Sequence, residues 1–251
     1  MSAGHFPSRL FVSMLALVAG VGCGAEPAGG QSERGGTGGA GTGGSDAGGE
    51  AGEGASGSAG TSPDFLPYAR EVVSFELGEG AGFGEDELPD VVLGPPDGRG
   101  VLSGSLDVLS LGKAGNIVVA FGELGIADGE GADFVVFENA FWPGGDPTLV
   151  FAEPGEVSVS EDGSEWHTFP CDADGDGAGR FAGCAGWSPA LEFDPSAAVP
   201  LEPAVTGGDA FDLADLGLAR ARFVRITDVS LSGSAPSAGF DLDAVGVVHV
   251  E

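Results

Sequence analysis

The chain has 251 residues, with 39 Asp and Glu against 9 Lys and Arg, a formal charge of -30 and 48 glycines. A surface this acidic repels phosphate backbones and anionic lipid, which excludes nucleic-acid binding. The same acidity suits divalent cations, and it also serves simply to keep a protein in solution.

Reading from the N-terminus, Arg9 precedes an apolar run from Leu10 to Val21, which ends in Gly20-Val21-Gly22-Cys23. A basic start, a short apolar run and small residues at a cleavage point make a secretory signal. The run has 12 residues, whereas a helix needs about 20 to cross a bilayer. Cys23, directly after the small residues, resembles the lipidated cysteine of a bacterial lipobox; an ordinary cleaved signal beside an incidental Cys is the alternative. From Gly24 to Gly60, 16 of 37 residues are Gly. Such a stretch buries too little apolar surface to offset its ordering entropy, and it reads as a flexible tether roughly 35 Å from end to end. The expected organisation is a signal peptide at 1–22, a disordered linker at 23–61 and a folded head at 62–251. The expected location is the cell envelope, with a lipid anchor at the outer membrane or cell surface.

The head reads as β throughout. Strands are expected at 71–75, 107–111, 116–121, 133–138, 156–160, 166–169, 221–227 and 245–250, from short apolar or alternating runs bounded by Gly, Pro and Asp. Glu161-Asp162-Gly163-Ser164 joins two of them as a hairpin turn. Phe211 to Leu216 is the one segment with a helical pattern, with Asp209 and Asp212 as caps at its start. Many short strands and little helix define an all-β protein, a β-sandwich. Cys171 and Cys184 are the only cysteines after Cys23. In an oxidising compartment they are expected to pair, and closing a loop of that size stabilises by about 3 kcal/mol in the loop-entropy model.

Val157-Ser158-Val159-Ser160-Glu161-Asp162-Gly163-Ser164-Glu165-Trp166 resembles a hairpin of discoidin-like, galactose-binding-type jelly rolls. Ala221-Arg222-Phe223-Val224-Arg225-Ile226 is similar to a late strand of the same domains. Over most of 65–251 the chain also resembles a group of secreted bacterial surface proteins. That likeness rests on Leu93-Gly94-Pro95-Pro96-Asp97-Gly98, Ser110-Leu111-Gly112, Asp133 to Phe141 and Gly239 to Val245. The first likeness implies a jelly-roll-like sandwich and sugar binding; the second implies a fold and a location.

Three acidic places are candidates for chemistry. Asp172-Ala173-Asp174-Gly175-Asp176-Gly177 opens like a calcium loop, but its twelfth position is Gly183, where a bidentate Glu is required. A surface loop closed by a disulfide is the simpler reading. Glu138-Asn139 ends an apolar strand with hard oxygen donors. Asp241 and Asp243 alternate with Phe240 and Leu242, so strand geometry sets the two carboxylates on one side. Like charges so placed call for a cation or a donor between them. Glu138, Asn139, Asp241 and Asp243 are therefore the expected ligands of a structural calcium ion, against the alternative of turn-forming side chains. Trp142 and Trp187, in loops, are the expected contacts for a carbohydrate or a surface protein. Trp166 reads as core. His5, His167 and His249 fall into no nucleophilic or zinc motif, so no catalytic residue is expected. Hydrolysis of an extracellular glycan by paired carboxylates remains the alternative function.

Overall fold

A computed structural model of the protein describes residues 67–175, 180–191 and 201–250. The signal segment 1–22, Cys23, the linker 23–61 and the first residues of the head lie outside the described residues, as do Asp176 and Gly177.

The regular structure of the described chain is almost entirely strand, joined by long loops and turns. Its elements are β1 (Glu71–Glu76), β2 (Leu109–Ser110), β3 (Asn116–Ala120), β4 (Ile126–Ala127), β5 (Phe134–Glu138), β6 (Gly155–Ser160), β7 (His167–Thr168), β8 (Asp209–Phe211), β9 (Arg220–Ala221), β10 (Phe223–Asp228) and β11 (Asp241–Val247). One antiparallel sheet has the order β1-β3-β10-β6-β7 and the other β2-β11-β5-β8, with β4 and β9 paired separately. The chain passes repeatedly between the two large sheets, so neighbours within a sheet are mostly distant in sequence. That is a jelly-roll-like β-sandwich.

The core lies between the sheets. Ile117 and Val119 of β3, Val157 and Val159 of β6, and Val224 and Ile226 of β10 meet Leu109, Phe134, Val136, Leu242 and Val245 from the other sheet. The period-two patterns of β6 and β10 put these residues inward. Phe134, Phe169 and Phe211 pack ring to ring, with centroids 4.9–5.9 Å apart. All five residues of β5 are buried. Val135 and Phe137 turn to a second cluster with Tyr68, Ala190, Leu201 and Ala244 on the outer side of this sheet. A strand covered on both faces needs no polar alternation, which explains the unbroken run Phe134-Val135-Val136-Phe137.

Four expectations are corrected. The last strand is Asp241–Val247, not 245–250. Its opening is rich in Asp, which strands ordinarily lack, and it ends because the Val248 and His249 N–H groups both turn to the Asp133 carbonyl. The expected helix shortens to a 3-10 turn at Leu213–Leu216, since Phe211 pairs with Phe134 in the sheet. Asp212 caps that turn, accepting from the Ala214 N–H at 2.8 Å, whereas Asp209 sits within β8 and caps no helix. Trp166 is half-buried outside the core, with the Arg225 guanidinium 4.4 Å from its ring centre. Cation–π stacking on the outer face competes here with burial. A single helical turn at Pro203–Thr206 carried no sequence signal.

Cys171 and Cys184 form a disulfide, with an S–S distance of 2.07 Å. Gly183, beside it, has φ 73°, and a Cβ there would lie 1.8 Å from the Pro170 carbonyl oxygen. Only glycine allows that close approach.

Candidate functional site

The crossover from β5 to β6 carries the chain from one sheet to the other through residues 139–154. Phe141 and Phe151 close the neck of this loop, exchanging backbone hydrogen bonds at 2.9 and 3.4 Å and stacking at 5.0 Å. Its two ends, Glu138 and Glu153, therefore stand together. β11 brings Asp241 to the same place, because Leu242 pairs with Glu138 on one side and Asp241 with Ser110 on the other. One carboxylate oxygen from each of Glu138, Glu153 and Asp241 lies within 4.8 Å of the other two. The three residues are 1%, 4% and 5% exposed.

Their hydrogen bonding is uneven. Asp241 accepts from the Ser110 hydroxyl, and from Asn139 Nδ2 at 2.9 Å. Glu153 accepts from the Ser232 hydroxyl at 3.1 Å. Neither oxygen of Glu138 has a partner, nor does Asn139 Oδ1. The Ala140 amide lies near enough to Glu138 to ease its charge slightly without a well-formed hydrogen bond. Burial first, and then the charges of Asp241, Glu153 and Asp209, push Glu138 well above the usual carboxylate range. Burial likewise raises Glu153 to about 7 and Asp241 to about 6. No basic side chain among the described residues offsets any of the three.

The four ligands expected from the sequence thus divide. Glu138, Asn139 and Asp241 come together. Asp243 stands apart from the group, at a β-bulge between Leu242 and Ala244. It accepts from the Asp97 N–H at 3.1 Å, its Oδ2 is buried without a partner, and burial lifts it to about 7. An extra residue re-aims a side chain, which period-two reasoning does not anticipate. Glu153 had no signal in the sequence, since its proximity to Glu138 depends on the Phe141–Phe151 neck.

A second acidic group, Asp128, Asp133 and Asp212, has a plainer explanation. Buried Asp133 accepts from the Gly129 and Leu213 N–H groups at 2.8 and 2.7 Å and lies 2.8 Å from His249 Nδ1. Asp212 is a cap. Hydrogen bonds account for Asp133 and Asp212, and Asp128 is exposed, while Glu138 is buried without them. In the disulfide loop, Asp172 and Asp174 are exposed and belong to neither group.

An open cleft of about 370 Å³ lies beside the disulfide, lined by Phe169, Cys184, Trp187, Ser188, Asp209 and Asp215 among others. Trp187 is 40% exposed. Its indole is held by a hydrogen bond from Nε1 to the Cys184 carbonyl at 3.1 Å. Asp209 Oδ2 accepts from the Gly186, Trp187 and Ser188 N–H groups at 2.7, 3.1 and 3.4 Å, fixing the turn that presents the ring. Its Oδ1 is buried and unpartnered. Burial raises Asp209 to about 6 against the pull of those donors. Trp142 does not line this cleft; it is half-buried in the 139–154 loop, where its N–H donates to the Val101 carbonyl at 2.7 Å. The two tryptophans expected as ligand contacts are therefore in different surroundings.

Comparison with models of known protein families and with curated proteins finds no match to this chain.

Proposed function

We propose that this protein is a lipid-anchored cell-surface protein whose β-sandwich head binds carbohydrate. The Trp187 cleft carries the reading. A partly exposed indole, immobilised by a backbone hydrogen bond, offers a flat apolar face for a sugar ring at little entropic cost. Ser188 and Asp215 line the same cleft and supply polar groups for hydroxyls. The likeness of 157–166 and 221–226 to galactose-binding-type domains favours the same ligand class. Anchoring rests on the lipobox-like Cys23; among the described residues no helix is long and apolar enough to cross a membrane. A structural calcium ion belongs to this reading as a stabiliser of the head.

The observed burial favours binding over hydrolysis. A glycosidase needs two carboxyl groups that reach the scissile bond; among the described residues the Glu138 cluster is at most 5% exposed, and of the two cleft carboxylates Asp209 is 4% exposed with its Oδ2 taken by backbone donors. A glycan array with the purified full-length protein, repeated with Trp187→Ala, tests the proposal. Binding to a defined set of sugars is expected, with affinity lowered about tenfold, or about 1.4 kcal/mol, in the variant. No bound glycan, or equal binding by the variant, would remove the cleft as the sugar site.

A further inference from the structure

We infer that Glu138, Glu153 and Asp241, together with Asn139 Oδ1, form the binding site of one calcium ion that clamps the two sheets at the β5–β6 crossover. This gives the proposed structural ion a ligand set, and rests on that part of the reading alone; it does not depend on the sugar.

Glu138 is the observation that points to a ligand. It is 1% exposed, both its oxygens are without hydrogen-bond partners, and one of them sits in the cluster of carboxylates. Leaving a buried carboxylate unpaired is among the most costly arrangements in a protein interior, and two further carboxylates beside it add to the cost. The same fold treats Asp133 differently, giving it two backbone donors and a histidine. Asp228 receives the N–H groups of Ala114, Ser230, Leu231 and Phe240 and the Ser230 hydroxyl. Donors thus satisfy these other buried acids, and Glu138 stands out by lacking them.

The donor set selects the ion. Every candidate ligand atom is oxygen, the hard type that calcium takes, and the group contains no His or Cys to favour zinc or copper. Calcium holds its oxygens at about 2.3–2.6 Å, so ligands on opposite sides of one ion are about 5 Å apart. The three carboxylate oxygens, one from each residue and within 4.8 Å of one another, fall inside that span. Magnesium ordinarily keeps several waters and is held by one or two carboxylates, which fits three buried carboxylates on one ion less well. Second carboxylate oxygens and water can complete the usual six to eight positions.

The ligands also suit a clamp. Glu138 ends β5 and Asp241 begins β11 in one sheet, while Glu153 leads into β6 in the other. Ser232, which donates to Glu153, comes from the 229–240 loop. An ion here joins both sheets and two loops.

The test is calorimetric titration of calcium into the full-length protein after chelator treatment and dialysis, with a thermal scan at each concentration. One ion per chain is expected, with a melting temperature that rises as calcium is added. Glu138→Gln keeps the shape and removes one charge. It should weaken calcium binding at least tenfold while its metal-free melting temperature equals or exceeds that of the wild type, because repulsion is relieved. A misfolded variant would fail that second criterion, and Glu153→Gln then serves as the independent probe. Asp174→Asn, in the exposed disulfide loop, should bind calcium as the wild type does. An unchanged wild-type melting temperature between chelator and millimolar calcium overturns the inference. So does loss of binding in Asp174→Asn with retention in Glu138→Gln, which would place the ion in the disulfide loop. A failed glycan array with a positive calcium titration removes the sugar alone, and the converse removes the ion alone.

Discussion

Replacing Cys171 and Cys184 together by alanine opens a link between residues 13 apart in sequence. In the loop-entropy model, closing such a loop contributes about 3 kcal/mol, acting on the unfolded chain. For a domain of this size each kcal/mol moves the melting temperature by roughly 2–4 °C, so a fall of about 6–12 °C is expected. The structure says where the folded state should remain intact. Ala185, next to Cys184, exchanges two backbone hydrogen bonds with Gly155 at 2.9 and 3.0 Å. On the other side, Phe169 donates to the Val157 carbonyl at 2.9 Å. Both ends of the loop are therefore pinned to β6 without the bridge. Scanning calorimetry of oxidised wild type and the double variant reads the stability, and circular dichroism at room temperature reads the fold. A lowered melting temperature with an unchanged spectrum is the expected pair of results. A fall of less than about 2 °C would refute the entropic argument, since it corresponds to no more than about 1 kcal/mol. Loss of strand signal at room temperature would refute the claim that backbone pairing with β6 suffices to hold the loop ends.

Two further outcomes are expected, one from the structure and one from the sequence. Asp209 is raised by burial from 3.8 to about 6 in the folded protein, so the fold favours its protonated form. That contribution is fully present below about pH 4 and is lost as pH rises through 6; at about 1.4 kcal/mol per pKa unit it amounts to roughly 3 kcal/mol. In chelator, Asp209→Asn should therefore flatten the fall in stability between pH 4 and 8, and a variant whose denaturation midpoint tracks the wild type across that range would contradict the assignment. Cys23→Ala should move the protein out of the membrane fraction and abolish acyl labelling; unchanged fractionation and labelling would remove the lipid anchor from the proposed function.

The sequence by itself determined the strands that depend on local pattern. Val157 and Val159 alternate with polar neighbours, and Val224 and Ile226 are separated by Arg225; a period of two is a property of the backbone that any strand expresses. The Asp162-Gly163 turn was legible for the same reason: Asp162 accepts from the Ser164 and Glu165 N–H groups at 2.8 and 2.9 Å, all within four residues. The disulfide followed from a count of cysteines, which needs no coordinates. Of the acidic site, Glu138, Asn139 and Asp241 could be singled out because each carries hard oxygen donors beside an apolar run. Their company could not. Glu153 joins them only because two phenylalanines close a loop between sheets, and Asp243 leaves them only because a bulge interrupts pairing with β5. Pairing register and loop closure are set by contacts between residues distant in the chain, and no local period encodes them. Trp187 was visible as a loop tryptophan, but its orientation comes from Asp209, which pairs into the sheet with Val136 and reaches back to fix the turn. Local pattern thus wrote the strands, and tertiary contact decided which of the many carboxylates meet.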